Sequence, residues 1–446
     1  MNLKQLLKIF SSKACHKVYV KKLAENDNSK NQVYFGGSFD ILNILPASEI
    51  IRDEKGKRER ESFKSKLDFS WIDEEGNSLK ASHAQLILYP DYPEVRFSGF
   101  LLGCKGGPSD LMNSRLKNRV LFIGVSDDRK IYGFVIGPET EIANEFSAIS
   151  NLESHGVFSI LTILHDEIQT NTKAKLIKEL KRINHLGWID SKRLSPNYQL
   201  VPCESSNCGG FTLEAELNIP SNPKSEPDYL GWEVKNFRVT NFEKIISTTI
   251  TLMDHSPTDG FFNENGAEAF IRKYGYNDKR GREARINFGG THRQGIIHNL
   301  TSLRLIIEGF DNENFKITDT NGFVALIDKK ENIAASWSFT SFIEHWNKKH
   351  SNACYVPSKI RKLVSENIKQ QYSYGNKIIL GSYTDITLLL NQIYLGNVFY
   401  DPGLKLELAI DGQRKQSSKV RSSFRIKSGN LSELYKTNEI VNLDLA

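Results

Sequence analysis

The sequence predicts a chain of two domains, the first mainly β and the second mixed α/β. Three observations carry that expectation. A chain of 446 residues is longer than one hydrophobic core usually serves. Its first part, to residue 165, consists of short alternating apolar runs broken by Gly, Pro, Asn and Asp, which is the pattern of strands and turns. From residue 211 onward, such runs alternate with segments whose apolar residues recur near the 3.6 period of a helix.

The N-terminal strands are expected at 16–23, 32–37, 63–73, 84–90, 94–103 and 119–125, forming a barrel or sandwich. A helix follows at 170–187 (TNTKAKLIKELKRINHLG), and 188–210 is polar with Pro and Gly and reads as a junction. Beyond it FTLEAEL (211–217) reads as helix, GWEVKNFRV (231–239) and KIISTTITLM (244–253) as strands, and 338–349 and 357–370 as helices. The division is therefore 1–190, a linker at 191–208, and 209–446.

Composition narrows the class. With 39% hydrophobic and 25% charged residues the chain is globular, not disordered, collagenous or coiled-coil. No apolar run approaches the ~18–20 residues of a membrane span, and MNLKQLLKIFSSKACHK lacks the long apolar stretch of a secretory leader. No membrane partner is expected. Five cysteines, odd in number and scattered, suggest reduced thiols in a cytoplasm-like compartment. Cys203 and Cys208 have no nearby His or Cys to complete a zinc set. A net charge of +6 leans mildly toward polyanionic partners.

The sharpest chemical signal is PDYLGWEVK at 227–235. In a strand Glu233 and Lys235 share a face and Val234 points the other way, into a core. Gly231 permits a bend that returns Asp228 alongside Glu233. Two carboxylates and an ammonium would then meet. Phosphodiester hydrolysis needs that set: oxygen donors for a hard divalent cation and a positive group near the charged phosphorane. An isolated E-x-K pair is usually a solvated polar face; the preceding Pro-Asp and the flanking sequence argue against that here.

The segment GGFTLEAELNIPSNPKSEPDYLGWEVKNF (209–237) resembles the catalytic core of the MvaI/BcnI family of restriction endonucleases, a branch of the PD-(D/E)xK nucleases. There a Gly-rich turn enters a helix carrying Thr-x-Glu, matched by Thr212 and Glu214, and a loop leads to PD and E-x-K, matched by Asp228, Glu233 and Lys235. Further matching segments are 251–260, 273–278, 337–357, 384–390, 399–407 and 421–426, so the resemblance spans roughly 205–440. It implies an α/β restriction-endonuclease-like core in which Asp228 and Glu233 bind Mg²⁺, Lys235 faces the attacking water and the phosphorane, and Glu214 is a supporting acid. It further implies a monomeric type II enzyme of a bacterial-type cytoplasm that cuts double-stranded DNA at a short CC-N-GG-type site, with a cognate DNA methyltransferase in the same system. Two alternatives are compatible with the same sequence: a strand-specific nickase of the mismatch-repair type, and a non-catalytic DNA-binding protein on a nuclease fold. The intact acid–acid–lysine trio speaks against the second.

Candidate DNA-contacting residues lie in four basic stretches. SSKVRSSFRIK (417–427) offers Lys419, Arg421 and Arg425 around Phe424, and paired arginines suit guanine edges. RKYGYNDKRGREAR (272–285) offers Arg280 and Arg282, GGTHRQG (289–295) offers His292 and Arg293, and WNKKH (346–350) offers Lys348 beside Lys349 and His350. For most such charges phosphate contact or solvation is the plain alternative; for WNKKH it is cations at a helix C-terminus.

In the N-terminal half, Lys22, Leu23, Asn26 and Asp27 resemble the opening of the B3-like DNA-binding domain found at the N-terminus of EcoRII-type restriction enzymes. The resemblance implies a pseudobarrel over the first domain, acting as a DNA-binding or effector module. By the same analogy Lys22, Asn26, Arg96, Lys105 and Arg115 are DNA contacts.

Overall fold

Strands dominate both halves of the computed structural model, which describes residues 1–25, 32–53, 61–91, 94–163, 172–205, 207–221, 227–363, 370–408 and 417–445. It separates into two units, Met1–Thr172 and Lys173–Ala446. The division falls between Thr172 and Lys173, at the start of the helix expected over 170–187.

The first unit opens with a helix, Leu3–Ser12, that the sequence reading passed over. Asn2 caps it and Gln5 returns the bond to the Asn2 backbone, a reciprocal arrangement that satisfies two otherwise unpaired N–H groups. Leu3, Leu6 and Phe10 of this helix pack with Ile142, Ala143 and Phe146 of the helix Glu141–Ala148 and with Val18, Val20, Val120 and Phe122. Those valines and their neighbours belong to a seven-stranded sheet in the order Ser154–His155, Phe158–Thr162, Cys15–Leu23, Arg119–Ser126, Ile131–Ile136, Phe69–Ile72, Ser78–Lys80. A five-stranded sheet, Gln32–Gly36, Glu94–Ser98, Gln85–Tyr89, Phe63–Leu67, Ala47–Arg52, is joined to it by aromatic rings. Phe35 meets Phe158 edge-on at 5.1 Å, and Phe97 lies 5.0 Å from Phe69. The strands expected in this half are present. Among the described residues, however, they form two open sheets rather than one closed barrel.

The second unit is built on a sheet ordered Ile189–Asp190, Gln370–Tyr374, Asn352–Lys362, Lys377–Ser382, Thr437–Asn442. The strand Glu233–Arg238 joins it by parallel pairing with Asn352–Lys362, Glu233 opposite Ala353 and Lys235 opposite Tyr355. The helix Thr172–His185 buries Leu176, Leu180 and Ile183 on one stripe. They share a core with Leu213, Val234, Cys354, Val356 and Leu380. Among the described residues, five smaller sheets include Thr249–Asp254, Ser423–Lys427, Val398–Tyr400 in one and Tyr276–Asn277, Arg285–Gly289, Gly403–Glu407, Ser417–Lys419 in another.

Three expectations differ from the structure. Residues 357–370 read as a helix, yet Asn352–Lys362 is a strand. Its backbone is claimed on one side by Glu233–Arg238 and on the other by Gln370–Tyr374 and Lys377–Ser382, and such long-range pairing overrides a local period. The segment read as a linker carries structure: Ile189–Asp190 pairs with Gln370–Tyr374, and Lys192–Leu194 forms a hairpin with Leu200–Pro202. The five cysteines are not all reduced thiols. Cys203 and Cys208 are disulfide-bonded, their closeness being supplied by a local turn, while Cys15, Cys104 and Cys354 are free and buried. No helix among the described residues is long and apolar enough to cross a membrane.

Candidate active site

The turn Tyr229–Trp232 is what brings Asp228 to Glu233. Leu230 and Gly231 both adopt positive φ, 50° and 83°, as the commonest two-residue hairpin turn requires. Tyr229 N–H donates to the Trp232 carbonyl at 2.9 Å and Trp232 N–H donates to the Tyr229 carbonyl at 2.8 Å. Asp228 Oδ2 then accepts from the Val234 backbone N–H at 3.1 Å, fixing the carboxylate beside the strand. Val234 is in the core as expected, with Glu233 and Lys235 on the opposite face.

Glu214 arrives on the helix Cys208–Glu216. Thr212, fully buried, accepts from the Lys192 N–H and donates to the Lys192 carbonyl, both at 3.1 Å. The neighbouring Glu216 is occupied by Lys192 at 2.5 Å and Arg182 at 3.4 Å. Glu216 is thus structural, and Glu214 is the acid left facing the site. The close approach of this helix to the active-site strand depends on Gly209. A Cβ there would lie 2.5 Å from Asn236 Oδ1 and 3.0 Å from the Tyr372 ring, both fixed by the sheet. Gly209→Ala should therefore cost about 1–3 kcal/mol of stability, read as a lowered denaturation midpoint, because neither neighbour can withdraw freely.

The electrostatics are those of crowded acids. Burial, then the charges of Asp228 and Glu233, push Glu214 up to about 7. Burial, then the charge of Glu233, push Asp228 up to about 6. Lys235 Nζ donates to Glu233 Oε1 at 2.8 Å. Burial works against the charge on Lys235, but Glu233, Asp228 and Asp254 outweigh it and hold the ammonium above its ordinary range. The wall behind is polar but uncharged: Tyr355 and Tyr435 hydroxyls lie 2.7 Å apart and Tyr435 is 3.1 Å from His350 Nδ1. Burial and the nearby Lys235 charge hold that imidazole neutral, well below the usual histidine range.

Glu233 is only 3% exposed, and its second oxygen, Oε2, has no hydrogen-bond partner among the described residues. A buried carboxylate oxygen left unsatisfied is costly. Together with two acids held partly protonated by burial and by neighbouring negative charge, it is what a divalent cation would relieve, and carboxylate oxygens suit a hard cation. Among the described residues no three His, Cys, Asp or Glu side chains form a ready-made cage.

The remaining candidates are scattered in role. Arg425, on Ser423–Lys427, donates to Asp401 Oδ2 at 2.9 Å. Arg421 precedes that strand, and its Nε lies 3.8 Å from Asp254, so the two arginines do not share a strand face. His292 is fully buried, with ring nitrogens 3.0 Å from the Gly290 carbonyl and 2.8 Å from Thr301 Oγ1. Burial, then His298, lowers its pKa to about 3. It is a core histidine stacked on Phe288, with neither nitrogen left for a base edge. Arg293 donates to the Gly396 carbonyl and lies over the Phe399 ring at 4.3 Å. Arg280 and Arg282 are exposed, Arg282 3.8 Å from Asp278. In the first unit Lys22 and Lys105 are exposed, while Arg96 bonds Glu94 at 3.0 Å and lies over Tyr34. Asn26 and the side chains of Lys348 and Lys419 lie outside the described residues.

Two residues near the trio escaped the sequence reading. Asp254, at the end of Thr249–Asp254, bears on Lys235. Lys349, named only as part of a basic helix end, has its Nζ 3.8 Å from Glu233 Oε1. Nothing in sequence spacing links either to PDYLGWEVK.

The family model of the MvaI/BcnI restriction endonucleases matches residues 177–435, beginning inside the helix Thr172–His185. A solved structure of the restriction endonuclease MvaI with its cognate DNA substrate aligns at 18% identity and a TM-score of 0.44, covering 63% of this chain and 100% of that one. MvaI in the absence of DNA aligns at 18% identity and a TM-score of 0.34, covering 62% of this chain and 100% of that one. No curated protein matches. With more than half of its length accounted for by that one model, the chain belongs to the MvaI/BcnI restriction endonuclease family and is a site-specific deoxyribonuclease.

Proposed function

We propose that this protein is a Mg²⁺-dependent type II restriction enzyme whose centre is Asp228, Glu233 and Lys235, with Glu214 in support. The observation that carries the reading is the buried Glu233, one oxygen held by Lys235 and the other unpartnered, beside a second carboxylate on the returning turn. Asp228 and Glu233 would hold the cation, which when bound supplies Lewis acidity at the phosphate and lowers the pKa of water. Lys235, kept protonated by its acidic neighbours, adds positive charge where the phosphorane becomes more negative. Glu214, which binds a proton near neutral pH, can exchange it with the attacking water.

The family membership supports a double-stranded DNA partner. A short CC-N-GG-type target, a monomer, a protecting methyltransferase and a cytoplasmic setting complete the proposal. The first unit is proposed as a separate DNA-binding module of B3 type, and the functional division as 1–190 and 209–446 joined through 191–208. Supercoiled plasmid incubated with Mg²⁺ tests the activity. Linear product is expected; nicked circle alone would favour the nickase, and unchanged plasmid a non-catalytic binder.

Arg425 is the proposed base reader, because its strand pairs with Thr249–Asp254, whose last residue bears on Lys235. Arg425→Ala should cost about 1–3 kcal/mol of preference for the cognate duplex over random DNA. A competition binding assay in chelator checks it, and equal weakening of both duplexes would make Arg425 a phosphate contact.

A further inference from the structure

Lys349 sits in the last turn of the helix Phe339–His350, an element separate from the turn and strand that carry Asp228, Glu233 and Lys235. Its Nζ is 3.8 Å from Glu233 Oε1, the same oxygen that takes the 2.8 Å bond from Lys235. Its charge also bears on Asp228 and on Glu214, so it faces all three acids of the site. A distance of 3.8 Å is too long for a hydrogen bond, and Glu233 already has a closer lysine. Lys349 is therefore not needed to satisfy that carboxylate. Its side chain is 24% exposed against 4% for Glu233, so it is more open to solvent than the carboxylate it approaches. Cations at a helix C-terminus commonly serve the helix dipole; this one is drawn to the carboxylates instead.

We propose that Lys349 is a second cationic catalytic residue, contacting a non-bridging oxygen of the scissile phosphate from an element separate from the Glu233–Lys235 strand. The inference rests on the active-site reading above. In the step it assists, a water oxygen bonds to phosphorus and loses a proton to Glu214, which passes it to solvent. The bond from phosphorus to the sugar oxygen breaks, and that oxygen gains a proton from solvent. Lys349 remains protonated throughout and supplies charge and position only.

The test uses the full chain and a plasmid of known sequence, with enzyme in excess and saturating Mg²⁺. Lys349→Met, checked for an unchanged thermal midpoint, should cut about 10²–10³-fold more slowly. A tenfold rise in Mg²⁺ should not restore it, and Lys349→Arg should recover most of the rate. In chelator, the salt slope of DNA binding by Lys349→Met should fall by about one. Should Lys349→Met fail to fold, Lys349→Gln takes its place in every arm. A rate within about threefold of the parent, or full rescue by added Mg²⁺, overturns the proposal; rescue would mean that Lys349 only tunes Glu233. Lys235→Ala runs alongside. If Lys235→Ala cuts normally, the active-site reading itself fails; if it is inert while Lys349→Met is normal, only the role of Lys349 falls.

Discussion

Lys235→Ala is expected to cut DNA about 10²–10³-fold more slowly than the parent, and residual cleavage above a few per cent would contradict its role. Specific binding in chelator should survive, because the ammonium is paired with Glu233 rather than spread across the surface. The substitution should also destabilise the fold. It leaves a carboxylate that is 3% exposed without its closest partner, and orphaning a buried charge costs about 3–5 kcal/mol. Asp228→Ala should lose cleavage comparably without that penalty, since it removes a negative charge from a crowded acidic cluster, whereas Glu233→Ala should lose cleavage and stability together, because it takes from the buried Lys235 its closest partner. The same rate loss with opposite effects on stability is the signature of this arrangement. Single-turnover cleavage and denaturation midpoints, measured on all three variants, separate the two effects.

The second large effect is in the metal-free protein's response to pH. Glu214 and Asp228 hold their protons up to about 7 and about 6, above the values near 4 expected in an unfolded chain. Groups raised in this way stabilise the fold fully below the unfolded pKa and lose that contribution as pH rises through the folded one. Between roughly pH 4 and pH 7 each should therefore withdraw about 3 kcal/mol, less in sum because the two are coupled. In chelator, Glu214→Gln should lose less stability than the parent across this window and be the more stable protein at pH 8. Mg²⁺ should raise the midpoint of the parent at pH 8, with Asp228→Asn responding much less. Parallel pH profiles for parent and Glu214→Gln would show that the acids are not crowded.

The active-site strand was readable because its chemistry is local. The period of two puts Glu233 and Lys235 on one face, and Gly231 marks the turn that returns Asp228. Leu176, Leu180 and Ile183 likewise announce the helix Thr172–His185 through their spacing. The helix Leu3–Ser12 was equally local, with Asn2 and Gln5 forming its capping box, but its basic, partly apolar opening was weighed as a leader rather than as structure. Other features depend on partners distant in sequence. Lys349 reaches Glu233 only because Asn352–Lys362, which follows its helix, pairs with Glu233–Arg238. Pairing with Gln370–Tyr374 likewise makes 358–362 strand where the local period suggested helix. His292 sits in a Gly-rich basic stretch that reads as ligand-binding, yet its backbone bonds reciprocally with Tyr400, and that contact draws the ring into the core. Cys203 and Cys208 bond across a turn of the segment read as linker, where counting all five cysteines together hid the local pair.

The central claim is that one buried acid–acid–lysine cluster hydrolyses DNA at a defined sequence. Run-off sequencing of a DNA of known sequence, after incubation with the full chain and Mg²⁺, tests it most directly. Ends are expected at fixed positions on both strands within every copy of one short site, with none in chelator and none from Lys235→Ala. Ends scattered without regard to sequence, or fixed ends that persist in Lys235→Ala, would contradict it.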